Sequence, residues 1–69
     1  MEGKIKFFHI AKHYGFVVDE TGTDHFFHER DVEGPKMLEA GDVVSFESIK
    51  NDKGPQAIKV VLIKRGDDI

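Results

Sequence analysis

Apolar and polar residues alternate at every second position over much of this chain, the period of a strand with one face buried and one exposed. Lys4-Ile5-Lys6-Phe7-Phe8-His9 opens in that manner, and Tyr14 to Val18 is rich in aromatic and β-branched residues. Thr21-Gly22-Thr23 is a turn signal ahead of Asp24-His25-Phe26-Phe27-His28, so these two segments are expected to pair as a hairpin. Val43 to Ile49 predicts a fourth strand, Asn51 to Pro55 a turn, and Ala57 to Lys64 a fifth strand. Between Glu29 and Asp42, Gly34-Pro35 and Gly41 break any period, which predicts a long irregular connection with one helical turn. Gly66 to Ile69 are expected to fray.

Five short strands in 69 residues, with no amphipathic helix, point to a small closed antiparallel barrel. Closure removes the unpaired strand edges that otherwise invite aggregation. Periodicity alone leaves an OB-type and an SH3-like barrel both open. The length allows one domain spanning residues 1–69, and with no cysteine its stability must come from a single compact core. The longest apolar run, Val60 to Ile63, is far short of the ~20 residues of a membrane span, and no signal-peptide pattern precedes it. The expected address is the cytoplasm.

The aromatic residues sharpen the picture. Six of the seven lie between Phe7 and Phe27. Because Val17 is a natural core residue, alternation sends Tyr14 and Phe16 outward; if Phe27 is core, Asp24, Phe26 and His28 stand outward beside them. The opposite choice would bury Asp24 and expose Val17 and Phe27. The outward rings, flanked by Lys6 and Lys12, form a platform of π-faces suited to unpaired bases, each of which can stack for about 1–3 kcal/mol while lysines meet the phosphates. Charge adds a constraint: the chain carries 10 Lys and Arg against 13 Asp and Glu, for a net charge of -3. Its acids concentrate between Asp19 and Asp42 and read as solvated surface and loop, leaving the N-terminal third locally basic. Duplex binding by counterion release is therefore disfavoured.

These same residues resemble the cold-shock domain family, small five-stranded OB barrels that bind single-stranded RNA and DNA. Lys6-Phe7-Phe8-His9 is similar to the family's Lys-Trp-Phe-Asn segment, and Lys12-His13-Tyr14-Gly15-Phe16-Val17 to its first RNA-binding motif, Lys-Gly-Phe-Gly-Phe-Ile. Asp24-His25-Phe26-Phe27-His28 resembles the second, Asp-Val-Phe-Val-His, and Gly41 to Glu47 and Gly54 to Ala57 match the closing strands in order. The resemblance implies stacking positions at Phe7, Phe8, Tyr14, Phe16, Phe26 and His28. It implies backbone-contacting lysines at Lys6 and Lys12, a base-edge acceptor at Asp24 and a basic loop residue at Lys53. Alternation alone turns Phe7 inward and Phe8 outward; the resemblance puts both rings at the surface, which requires a bulge in the first strand.

Two departures stand out. His13 occupies a glycine position, and Glu29 replaces an aromatic residue; the connection from Arg30 to Ala40 is also short and lacks its usual ring. Fewer stacking faces predict weaker binding or a changed sequence preference. No metal site is expected: His25 and His28 point to opposite faces, and nothing completes a set around His9 and His13. Catalysis has no support, with no cysteine, no nucleophile elbow and no phosphate-cradling loop. His25 is expected to be part-buried and satisfied by the backbone. The expectation is a monomeric, cofactor-free single-strand binder acting as an RNA chaperone, with a family-implied leaning to pyrimidine-rich strands. The competing reading is a protein-interaction barrel that has lost effective nucleic-acid binding.

Overall fold

The computed structural model describes residues 1–34, 38–52 and 54–66. Strands β1 (Glu2–His9), β2 (Tyr14–Asp19) and β3 (Asp24–His28) form an antiparallel meander. A 3-10 turn at Glu29–Asp31 leads into a two-residue strand, β4 (Val32–Glu33). The long hairpin of β5 (Val43–Asn51) and β6 (Gly54–Lys64) follows, joined to the meander by β1–β5 pairing. The ring closes where β6 meets β3 at Phe26 and Gln56. Five strands therefore make the OB-type barrel expected from the sequence, and β4 adds a short flap on β6. That closing seam is parallel, as is the β4–β6 pairing. Antiparallel direction is enforced only where a tight turn links two strands, and the chain between β3 and β5 is a crossover.

Alternation sets the core. Ile5, Val17, Phe27, Val44, Phe46, Ala57 and Val60 point inward from the strands, and Val32 and Leu38 from the crossover close one end. Among them sits His25, 3% exposed, its Nδ1 3.2 Å from the carbonyl of Thr23 and its Nε2 2.9 Å from Ser48 Oγ. The backbone partner expected for it is present, and a side-chain partner joins it. Phe46, the one aromatic residue distant in sequence, packs on this imidazole with centroids 5.1 Å apart.

Two acids expected in the solvated block instead organise the fold. Asp19 caps the β2–β3 turn, accepting from the Thr21 hydroxyl and amide and from the Thr23 amide. The Thr21 hydroxyl bond first, then the Thr23 amide, holds its carboxyl below the usual value against the opposing effect of burial. Asp42 is 1% exposed. It accepts from the amides of Glu39 at 2.9 Å and Gly66 at 2.7 Å and from Arg65 at 3.2 Å. Burial pushes that carboxyl up, but the Gly66 and Glu39 amides and the Arg65 guanidinium outweigh it and leave the group lowered. The Gly66 amide is held by this carboxylate, and residues 67–69, the rest of the segment expected to fray, lie outside the described residues.

A carboxyl lowered by folding stabilises the protein above its unfolded value of about 3.9, and the contribution is lost as pH falls through the lower folded value. Asp42→Asn should thus cost about 2–3 kcal/mol at pH 7. In urea unfolding the gap to wild type should narrow as pH drops below about 4. An equal gap at pH 7 and pH 3 would contradict this role.

Candidate nucleic-acid interface

The interface begins with a fault in register. Along β1 and β2, Ile5 lies opposite Val17 but Phe7 lies opposite Phe16, so β1 holds one extra residue, Lys6. Such a bulge reverses the facing of everything beyond it. Ile5 points into the core, yet Phe7 emerges on the outer face, 39% exposed. Phe8 then turns back, half-buried, its ring parallel to Phe27 at 5.8 Å. The bulge required by the resemblance is present, and the inward place that alternation gave Phe7 is corrected. Phe8 does not join the exposed cluster as expected, because the pleat allows only one of two consecutive rings to face out.

Across the outer face Phe7, Tyr14, Phe16 and Phe26 form one cluster. Phe7 lies 5.3 Å from Phe16 and 6.2 Å from Tyr14. Phe26 is 5.7 Å from Tyr14 and 5.8 Å from Phe16. Ring planes alternate between stacked and edge-on, leaving faces of differing tilt open to solvent. Phe26 is 38% exposed and Tyr14 and Phe16 are half-buried. His28, opposite Tyr14 in the β2–β3 register, shares the face. So does His9, stacked on Tyr14 at 5.9 Å and 11°. Sequence reasoning overlooked His9, although it lies two residues beyond Phe7 and shares its side of the strand. Gly15 makes the reverse side possible: a Cβ there would stand 2.5 Å from the Phe7 carbonyl oxygen and 2.9 Å from the Phe27 ring.

Several of the charges around this cluster are paired. Lys6 Nζ holds Asp24 Oδ2 at 3.0 Å, both exposed, so the lysine and the acid expected to touch nucleic acid hold each other across the sheet. Lys12 closes the 3-10 turn between β1 and β2 and has no ion-pair partner among the described residues. His13 adopts the left-handed conformation, with φ +60°, that a glycine takes without cost. Its Nδ1 lies 2.9 Å from Glu29 Oε2, and its carbonyl accepts from the Glu29 amide at 2.8 Å. The two departures noted in the sequence are thus neighbours in space. Lys53 lies outside the described residues.

A second network fixes His28. Its amide donates to Asp31 Oδ2 at 3.0 Å, and its Nδ1 accepts from the Arg30 amide at 3.1 Å. A nitrogen that accepts an amide proton carries none itself, so the neutral ring bears its proton on Nε2. The side chain then has Nε2–H as its donor. Among the described residues no cluster of three or more His, Cys, Asp or Glu could hold a metal, and no helix is long and apolar enough to cross a membrane.

A five-stranded barrel carrying exposed rings on its β1–β2–β3 face is the architecture of a small nucleic-acid-binding OB domain. The 'Cold-shock' DNA-binding domain profile matches residues 1–63, and the chain belongs to that family, which binds single-stranded nucleic acid and is not enzymatic. It is 46% identical over 61 residues to the cold shock protein CspB of Bacillus caldolyticus, covering 86% of this chain and 92% of that one. It is 46% identical over 61 residues to CspD of Bacillus subtilis, with the same coverage. The cold shock-like protein of Thermotoga maritima is 42% identical over 66 residues, 93% of this chain and all of that one.

The His28 geometry is open to direct test. Ring 15N spectra at alkaline pH should show the Nε2–H tautomer at His28. An Nδ1–H tautomer would mean that the Arg30 amide bond does not form.

Proposed function

We propose that this protein binds single-stranded RNA and DNA on the Phe7, Tyr14, Phe16, Phe26 and His28 face and acts as an ATP-independent RNA chaperone in the cytoplasm. The observation that carries the reading is the ring cluster itself, four mutually packed aromatic side chains left in contact with solvent on the face opposite the core. A monomer seldom keeps such an apolar surface open without a partner for it. Bases of any unpaired strand can lie on these faces for about 1–3 kcal/mol each. Lys6 and Lys12 meet the backbone, Lys53 adding a loop cation on the strength of the family resemblance alone. Asp24, released from Lys6 when a phosphate takes the lysine, accepts from a base edge. Phe8, half-buried and parallel to Phe27, supports the face from beside it.

Chaperone action follows from mass action. Every base held on the platform is withdrawn from pairing, so a hairpin in equilibrium with its open form shifts toward the open form. Stacking supplies most of the energy and few phosphates are gripped, so release is fast and salt dependence mild. A leaning toward pyrimidine-rich strands rests on the family resemblance alone. The protein works as a monomer, since one barrel carries the whole face.

Anisotropy titration of a labelled oligo-dT or oligo-U heptamer tests this. Saturable binding is expected, weakened at least tenfold by Phe16→Ala or Phe26→Ala, with duplex bound poorly. Each variant should remain folded by circular dichroism, because both rings stand outside the core. A folded wild-type protein that binds no single strand would overturn the proposal and favour a protein-interaction barrel.

A further inference from the structure

Ile5 is the last residue of β1 before the extra residue at Lys6, and its backbone is held from both sides. On one side it lies opposite Val17. On the other, β5 does not reach it, because the β1–β5 pairing covers only Glu2 to Lys4. The end of the crossover takes that place. The Ile5 amide donates to the Asp42 carbonyl and the Ile5 carbonyl accepts from the Gly41 amide, both at 2.8 Å. Two residues that belong to no strand thus fix the backbone immediately before the bulge.

Gly41 and Asp42 are themselves held by the residues that follow β6. Asp42 Oδ1 accepts from the Gly66 amide at 2.7 Å, and Oδ2 accepts from Arg65 at 3.2 Å and from the Glu39 amide at 2.9 Å. Gly66 also lies directly on Gly41: a Cβ added to Gly66 would stand 2.6 Å from the Gly41 carbonyl carbon and 2.9 Å from its oxygen. The family profile matches residues 1–63, so Arg65 and Gly66 stand past the part of the chain for which it carries any expectation. The contacts form one chain, from Arg65 and Gly66 through Asp42 to Ile5 and the bulge. A strand released at that point can slip by one residue, and a one-residue slip exchanges the faces of its side chains.

We infer that Arg65 and Gly66 are positioning residues for the outer rings: through Asp42 they seat the crossover on Ile5, keep the extra residue of β1 at Lys6, and so hold Phe7 outward beside Phe16. Neither needs to touch nucleic acid. Their effect on binding rests on the single-strand reading above, whereas their effect on register does not.

Arg65→Ala, Arg65→Lys and Gly66→Ala are compared with wild type at a temperature where circular dichroism shows each folded. In Arg65→Ala and Gly66→Ala the Ile5 and Gly41 amides should exchange about tenfold faster, while the Glu29 amide, bonded to the His13 carbonyl, keeps its rate. The nuclear Overhauser contact between the Phe7 and Phe16 rings should weaken with them. Kd for a dT heptamer should rise about three- to tenfold, as when the competent register falls to between about a third and a tenth of the molecules. Arg65→Lys keeps the charge beside Asp42 and should recover most of the affinity. Gly66→Ala removes no charge and should leave the salt slope unchanged. If only Arg65→Ala weakens binding, with a slope lowered by about 0.7, Arg65 is a phosphate contact and not a positioning residue. Equal acceleration at all three amides, with the Phe7–Phe16 contact intact, would make the tail a general brace and overturn the role given to it here. Should wild type bind no single strand, the binding reading falls, and the exchange rates and ring contact still decide whether the tail sets the register.

Discussion

The extra residue at Lys6 controls which rings this barrel shows to solvent. Before it, β1 sends Ile5 into the core against Val17; after it, Phe7 stands outside against Phe16. Without that shift Phe7 would compete for core space and Phe8 would stand beside Lys6 on the surface. With it, Phe8 packs on Phe27 and helps hold β3 in place from beneath, while Phe7 completes the outer cluster. Gly15, opposite Phe8, leaves the space these two layers require. The exposed face and the core are therefore one construction: each outward ring has an inward neighbour that fixes its strand.

Electrostatics explains how an acidic chain can present such a face to a polyanion. Asp42 and Asp19 are used internally, one locking the crossover to Arg65 and Gly66 and the other capping a turn. Asp24 is paired with Lys6, and Glu29 is held by His13. Much of the negative charge between Asp19 and Asp42 is thus structural or paired. The net charge offers this face little long-range attraction for a polyanion, which suits the proposed short-ranged binding by ring contact.

What the sequence made legible follows its periodicity. The faces of β2 and β3 were readable because both keep strict alternation, and Val17 and Phe27 could each be recognised as core. The five-stranded closure was readable from strand spacing and turn residues. The β1 bulge was not, since an inserted residue erases the pattern that would reveal it, and only the family resemblance required one. Asp42 looked like one more surface acid, because burial by amides from Glu39 and Gly66 is a long-range event. His9 could have been found once Phe7 was placed outward.

The most direct test is to map contacts by NMR, following aromatic and backbone signals as a dT or U heptamer is added. The account predicts intermolecular contacts from base protons to the rings of Phe7, Tyr14, Phe16 and Phe26, with the core rings of Phe27 and Phe46 silent. Contacts confined to another face, or perturbation of the core rings without any on the outer cluster, would contradict it.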